Sequence, residues 1–359
     1  MFIDFNSPIP KYFQLQNWLQ SRIEQGIYMS NEKIPTEFEL VKMSGLSRAT
    51  VRQAVKNLEN QGYIYRKKRI GTFVRSFTKK KNDFPTIGII LPDIRVGYDP
   101  ILARGAEDEA SKNEFSLILC NSDDYLAQAN YHVDRLINHL VNGVLFVPIA
   151  ASEKENKLLI EKLNKHDIPV VLVDRAIQGA DTDFVTTDNF QGAFKLTEYL
   201  IQKGHEKIGI LISQMFSTEK LRYDGYIAAL KKYNITPDPS IAIIDNGSFN
   251  PTRYLEYAQK LLENKEKFTA FFAGHDRIAL SFYSLSKKFN LSIPEDFSLV
   301  GYDDLPFTTI SLTTMHQPIY EMGQTGMKIL LSKIRGNNEK PKFIELKSTL
   351  IERSSVKRI

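Results

Sequence analysis

The sequence predicts a mixed α/β chain in two parts: a small winged helix-turn-helix head, then a larger body of two lobes, each a doubly wound parallel sheet. Three observations carry this. Near the N-terminus, two short amphipathic segments flank a glycine turn and lead into two alternating apolar segments. From Pro85 onward, short apolar runs alternate with helical periodicities down to about residue 301. Between the two parts the charge changes sign.

Taken in order, Pro10 opens a helix over residues 11–25. Tyr12, Leu15, Leu19 and Ile23 recur on one face, Trp18 joins its edge, and Gly26 ends it. Leu40, Val41 and Met43 give the next segment a short apolar face. Ser44-Gly45-Leu46-Ser47 is a tight turn ending in a residue suited to an N-cap, and a second helix follows with Val51, Val55 and Leu58 inward. Arg48 and Arg52 lie one turn apart at the start of that second helix, where a recognition helix meets base edges in the major groove. After Gly62, residues 63–65 and 72–74 alternate like strands. Arg66-Lys67-Lys68-Arg69 stand between them as four cations at a hairpin tip, placed to reach phosphates or the minor groove. Residues 76–84, SFTKKKNDF, lack apolar periodicity and form a linker. The expected domains are therefore 1–75, the linker 76–84, and 85–359.

In the body, strands are expected at 86–91, 116–120, 143–147 and 169–174, with helices at 100–113, 125–140 and 153–165. A second series has helices at 191–202, 219–232, 252–262 and 277–289 and strands at 207–212, 241–244, 270–273 and 298–301. Each series is long enough for its own sheet, with a cleft between the two.

Composition sets the class. At 359 residues the chain is too long for one small domain. Hydrophobic residues at 42% and charged residues at 25% are ordinary for a soluble globular protein. No apolar run is long enough to span a bilayer. The N-terminus lacks a signal-peptide pattern, and Cys120 is the only cysteine, so a reducing cytoplasm is the expected compartment. The net charge of +5 hides an asymmetry: residues 1–82 hold fifteen Lys and Arg against six Asp and Glu, and the rest is mildly acidic. A basic head on an acidic body suits a polyanion at one end only.

The head resembles the GntR family of bacterial transcription regulators. The matching marks are Pro35-Thr36-Glu37 with Leu40, Ser47-Arg48 with Thr50-Val51-Arg52, Leu58, Gly62, and Gly71-Thr72-Phe73-Val74. Phe38 stands where some members carry a DNA-contacting arginine, and the wing has one glycine where relatives often have more. The body resembles LacI/GalR effector domains, which share the fold of periplasmic sugar-binding proteins. Its marks are IGIILP, LARGAEDEA, GVLFVP, IPVVLVDR, RYDGYIAAL, FFAGHDRIAL, IPEDFSLVGYDD and LTTMHQPIYEMG. The fused order resembles the arabinose repressors of Gram-positive bacteria.

These resemblances imply a homodimeric, cytoplasmic repressor of carbohydrate-utilisation genes, released from a near-palindromic double-stranded operator by a pentose or other monosaccharide. Arg48 and Arg52 are expected to read bases. Ser47 and Thr50 are expected on phosphate, with Lys42, Arg66, Lys67, Lys68, Arg69 and Thr72 completing the DNA-facing set. For the effector, ligands of open parallel sheets meet the carboxyl ends of strands, which points to residues 93–99, 174–175, 213–216 and 246–250, with His275 and Asp303. These are polar, charged or aromatic, the mixture that pairs sugar hydroxyls and covers a sugar's C–H face. The family pattern narrows the set to Tyr98, Asp99, Asp174, Arg175, Arg222, Phe249, Asn250, His275 and Asp303. His275 stands where many relatives have asparagine.

Plainer readings stand beside these. Arg222 and Asp303 could be a structural ion pair bridging the lobes, and Phe249 could be plain core. Asp188 and Asn189 read as crossover residues and Asp276 as a helix cap. His205 and His316 lack metal-ligand spacing, and neither a metal nor a cofactor is expected. There is no G-x-S-x-G elbow, P-loop or dinucleotide fingerprint, so an enzyme is not expected. The competing functional readings are a corepressor- or activator-type regulator answering a purine or sugar phosphate, and an extracellular sugar carrier.

Overall fold

Thr36 and Ser47 start the two helices that define the head. In the computed structural model, which describes residues 3–359 except 6, 8, 25, 26, 69, 76–84, 96, 214, 215, 246–250, 307–309, 338 and 339, the head begins with α1 (Lys11–Glu24). α2 (Glu37–Ser44) follows. Thr36 caps it and Glu39 reaches back to the Thr36 N–H at 2.7 Å, a reciprocal capping box. Gly45, at φ 71°, ends α2 in the left-handed region, where glycine carries no side-chain clash. Ser47 caps α3 (Arg48–Asn60) by accepting the Thr50 N–H at 3.2 Å. β1 (Ile64–Lys67) and β2 (Gly71–Val74) pair antiparallel as the wing. Leu15, Leu19, Leu40, Val51, Val55, Leu58, Ile64 and Val74 form one buried core.

Two local expectations change. Met43 is 43% exposed, because the buried stripe of α2 runs from Leu40 to Ser44. Arg66 and Lys67 are not at the hairpin tip; they pair within β1, opposite Thr72 and Gly71. The expected linker and Gly26 lie outside the described residues.

The chain divides into two compact units, Met1–Asp83 with Asn130–Leu140, and Phe84–Ala129 with Val141–Ile359. The body starts with β3 (Thr86–Leu91), α4 (Tyr98–Lys112), β4 (Ser116–Asn121), α5 (Leu126–Asn138), β5 (Gly143–Phe146), α6 (Glu153–Asn164), β6 (Val170–Val173) and β7 (Asp183–Thr187). It continues with α7 (Asn189–Gln202), β8 (Ile208–Ser213), α8 (Ser217–Lys232), β9 (Ala242–Asp245), α9 (Pro251–Leu262), β10 (Ala270–Ala273), α10 (Asp276–Lys288), β11 (Ser298–Asp303) and β12 (Thr313–His316). It ends with α11 (Ile319–Ile334), β13 (Phe343–Leu346) and β14 (Thr349–Ile351).

Two six-stranded sheets result. The first has the order β13-β7-β6-β5-β3-β4, all parallel. The second has the order β14-β12-β11-β10-β8-β9, parallel except for β14. β3, β5, β6, β8, β10 and β11 are buried along their whole length, which explains their near-continuous Val, Ile, Leu and Phe runs. Separate apolar clusters sit against each sheet.

The C-terminal stretch does not simply extend the second lobe. The chain enters that lobe after β7, returns to the first after β12 to form α11 and β13, and crosses once more into β14. α11 packs against α4 so closely that a Cβ on Gly323 would stand 2.1 Å from the Leu102 carbonyl oxygen. At Gly105 it would stand 2.0 Å from that of Tyr320, so both helices need glycine at the contact. The crossings are tied to each other: the Thr187 hydroxyl donates to Gln317 Oε1, and the Asp188 N–H donates to the Leu346 carbonyl at 3.2 Å.

Candidate functional site

On α3, the exposed face carries Arg48, Arg52 and Lys56 at successive turns, with Ala49 and Gln53 between them. Lys56 was not singled out from sequence, although its four-residue spacing from Arg52 marks it. The expected phosphate contacts Ser47 and Thr50 have their hydroxyls 2.8 Å apart. Lys42 lies over the ring of Phe38, which is 69% exposed. Glu37 restrains two of the cations, lying 3.6 Å from Arg52 and 3.0 Å from Arg66, and Arg66 also meets Glu59 at 3.2 Å. Lys67 covers Phe73, Lys68 is exposed, and Thr72 is half-buried in β2. Arg69 lies outside the described residues.

In the body, a cavity between the lobes is lined by seven of the nine expected effector residues. Tyr98 and Asp99 open α4, Asp174 and Arg175 follow β6, Arg222 projects from α8, His275 caps α10, and Asp303 ends β11. Phe249 and Asn250 lie outside the described residues. Asp174 and Asp303 adopt positive φ, 69° and 119°, which side chains bearing a Cβ seldom do. Strand ends held in such conformations are common where a side chain must be aimed at a site.

Each group is held by its neighbours. The Tyr98 hydroxyl donates to Asp174 at 2.9 Å. Asp99 accepts the Asp93 N–H at 2.7 Å. Arg175 donates to Asp124 at 2.9 Å and to the Pro148 carbonyl at 2.8 Å, and its guanidinium lies 3.6 Å from the centre of the Phe216 ring, from the opposite lobe. Arg222, only 4% exposed, donates to Asn189 at 2.8 Å and to the Gly274 carbonyl at 2.7 Å. It stands over the Tyr302 ring and 3.7 Å from Asp303.

Two plainer readings are corrected here. Arg222 and Asp303 do approach as an ion pair, but both belong to the second lobe, so they bridge nothing. His275, not Asp276, caps α10: its side chain accepts the Ile278 N–H. Asp276 is the first helical residue, and its carboxylate accepts from the Leu305 N–H and the Thr314 hydroxyl, both at 2.8 Å. Asn189 serves the crossover as read, and it also orients Arg222.

Asp93 and Phe216, inside the strand-end ranges but outside the family pattern, also line the cavity, as do Asp124, Glu219 and Arg277, which neither reading chose. Glu219 sits one turn before Arg222 on α8, so position alone could have flagged it. Arg277 of the second lobe lies 3.5 Å from Asp93 of the first, a direct ionic contact across the cleft.

Burial governs protonation. It pushes Asp99 up to about 7, against the lowering effects of the Asp93 N–H and Arg175. It raises Glu219 to about 7 despite Arg222 and the Ser213 N–H. It lifts Asp303 well above the carboxylate range against the pull of Arg222, and it keeps His275 neutral, reinforced by Arg277, Arg222 and Arg175. Six carboxyl groups and three arginines line the cavity among the described residues, and with Asp303 kept protonated and Asp99 and Glu219 raised to about 7, its negative and positive charges come close to balance near neutral pH.

Two family models match parts of the chain. Residues 11–74 match the bacterial regulatory proteins of the gntR family, and residues 197–356 match the periplasmic binding protein-like domain. The arabinose metabolism transcriptional repressor of Geobacillus stearothermophilus is 31% identical over 363 residues, covering 98% of this chain and 99% of that protein. The HTH-type transcriptional repressor PurR of Aliivibrio salmonicida is 29% identical over 287 residues, covering 78% and 84%. A LacI family transcriptional regulator from Enterococcus faecium, solved with bound ribose, superposes with a TM-score of 0.67 at 28% identity, covering 76% of this chain and 99% of that one. A gntR-type winged head, a two-lobed periplasmic-binding-protein-like body and end-to-end similarity to a repressor of the same construction place this chain in the family of arabinose-repressor-type bacterial transcriptional repressors, which are regulators and not enzymes.

Proposed function

We propose that this repressor binds a near-palindromic operator as a homodimer and is released from it by a neutral monosaccharide, a pentose in the first instance, held between the lobes of residues 85–359. The observation that carries the effector reading is the convergence of Tyr98, Asp99, Asp174 and Arg175 from one lobe with Arg222, His275 and Asp303 from the other. A ligand touching both walls stabilises the closed cleft, and only that difference in affinity between open and closed forms moves the equilibrium. The linker 76–84 would carry the change to the head 1–75.

A wall of carboxyl groups whose charge is already balanced by three arginines offers hydroxyl partners and, among the described residues, leaves no cation free for a phosphate, which favours a neutral polyol over a sugar phosphate. Phe216 has one face covered by Arg175, so it offers no open plate for a purine on that side. In the head, Arg48 and Arg52 read bases, Ser47, Thr50 and Thr72 approach the backbone, and Lys42, Lys56, Arg66, Lys67, Lys68 and Arg69 supply charge. The setting is the cytoplasm; among the described residues no helix is long and apolar enough to cross a membrane.

A thermal-shift panel of L-arabinose, D-ribose, D-xylose, D-galactose, ribose 5-phosphate and hypoxanthine tests the effector class. A rise in Tm with a neutral sugar is expected. A rise only with the phosphate or the purine overturns the reading.

A further inference from the structure

We propose that Glu219 and His275 form one hydroxyl-binding position on the second-lobe wall of the cleft, in which the imidazole donates to a ligand hydroxyl and the carboxyl group accepts that same hydroxyl's hydrogen. The inference deepens the sugar-effector reading and rests on it. The ring's orientation follows from its capping role. His275 Nδ1 accepts the Ile278 N–H at 3.4 Å, so Nδ1 carries no hydrogen and the neutral ring must hold its proton on Nε2. The Tyr254 ring, edge-on at 5.5 Å between centroids, packs beside the imidazole.

Nε2 faces Glu219 Oε1 at 3.9 Å. That separation is too long for a direct hydrogen bond. It is short enough for one hydroxyl oxygen to stand about 2.8 Å from both atoms. Glu219 is 4% exposed and its other oxygen accepts the Ser213 N–H, so the carboxyl group cannot turn away without leaving a buried donor unpaired. A donor and an acceptor fixed on the same hydroxyl select for its position and configuration, because the oxygen must accept from one side and donate to the other.

The charged and titratable groups around Glu219 are Arg222 on its own helix, Arg277 and His275 on α10, Tyr254 on α9, Asp303 after β11, and Asp174 and Arg175 from the first lobe. A hydroxyl donor binds the ionised carboxylate. With Glu219 raised to about 7 and the imidazole neutral, affinity increases as pH rises from about 6 to about 8.

The test is titration calorimetry on the full chain with the neutral sugars of the panel and the monodeoxy analogues of whichever binds, using wild type, Glu219→Ala, His275→Ala and the double variant. Each single change is expected to weaken binding about tenfold or more. The double variant should lose little beyond either single one, and one and the same deoxy position should become insensitive to both changes. Additive losses, or different deoxy positions, overturn the shared-hydroxyl inference while leaving the sugar reading intact. If no neutral sugar binds wild type, the sugar reading and this inference fall together. Glu219→Gln, nearly isosteric, guards against misfolding of the alanine variants. It should flatten the pH dependence of affinity relative to wild type, and an unchanged slope would remove the carboxylate from the contact.

Discussion

Gln317 Nε2 donates to Asp303 Oδ1 at 2.6 Å, and Gln317 Oε1 accepts from the Thr187 hydroxyl. Asp303 lines the cavity between the lobes, while Thr187 and Gln317 stand at two of the places where the chain passes between lobes. One buried side chain therefore joins the site to the hinge. Gln317→Leu leaves Asp303 and Thr187 without this partner. It should lower stability by about 1–3 kcal/mol and reduce the coupling between sugar and DNA by about 0.5–2 kcal/mol. Operator affinity measured with and without sugar, set beside sugar affinity alone, checks this; unchanged coupling would show that the contact carries none of the signal.

Arg48 begins α3 on its exposed face. Arg48→Ala should cost about 1–3 kcal/mol in operator binding and relax specificity at one position per half-site, as expected of a guanidinium bidentate to guanine. Binding selection on randomised duplexes reads this out. Equal losses on operator and scrambled DNA would reassign Arg48 to the phosphate backbone.

Glu37 holds Arg52 and Arg66 by ion pairs on the side of the head proposed to face DNA. Glu37→Gln frees Arg52 and leaves Arg66 paired with Glu59 alone. Non-specific affinity should rise, and the plot of log K against log salt should steepen by up to about 0.9 for each cation gained. The first turn of α2 loses a favourable charge, which costs at most about 1 kcal/mol of head stability. An unaltered salt slope would place Arg52 away from phosphate.

Much of the fold was legible because buried parallel strands are written as apolar runs: β3 and β10 fall where residues 86–91 and 270–273 were read. The tail was not. β7 reads DFVTT and β14 has only three residues, so neither shows a clear period. α11 contains Gly323 and Gly326, which look like breakers in sequence; Gly323 is in fact required for the close approach to α4, and Gly326 sits tightly against the Leu145 and Val173 side chains. In the site, strand-end position and family pattern found Asp174, Arg222 and Asp303. They missed Glu219 and Arg277, whose contribution depends on what faces them from other elements.

Asp99 gives a pH prediction. Its carboxyl group, raised to about 7 by burial, keeps a proton in the folded state that the unfolded chain releases near the ordinary aspartate value of 3.8. Between those values the folded state binds more protons, so stability falls as pH rises through this window and the loss is complete above about 7. Asp99→Asn removes this contribution, so Tm should decline less steeply from about pH 5 to about pH 8 and should exceed the wild-type value at the upper end. Glu219 and Asp303 act with the same sign, so a residual slope should remain. Parallel wild-type and variant melting curves would mean that Asp99 is ionised in the folded protein.

In the proposed mechanism one molecule couples DNA held at its head to a sugar held in its body. Fluorescence anisotropy on a duplex chosen by binding selection, titrated with the full chain in the presence and absence of the sugar that raises Tm, tests it most directly. The account predicts that saturating sugar weakens operator binding at least about tenfold. Identical affinities, or tighter binding with sugar present, would contradict it.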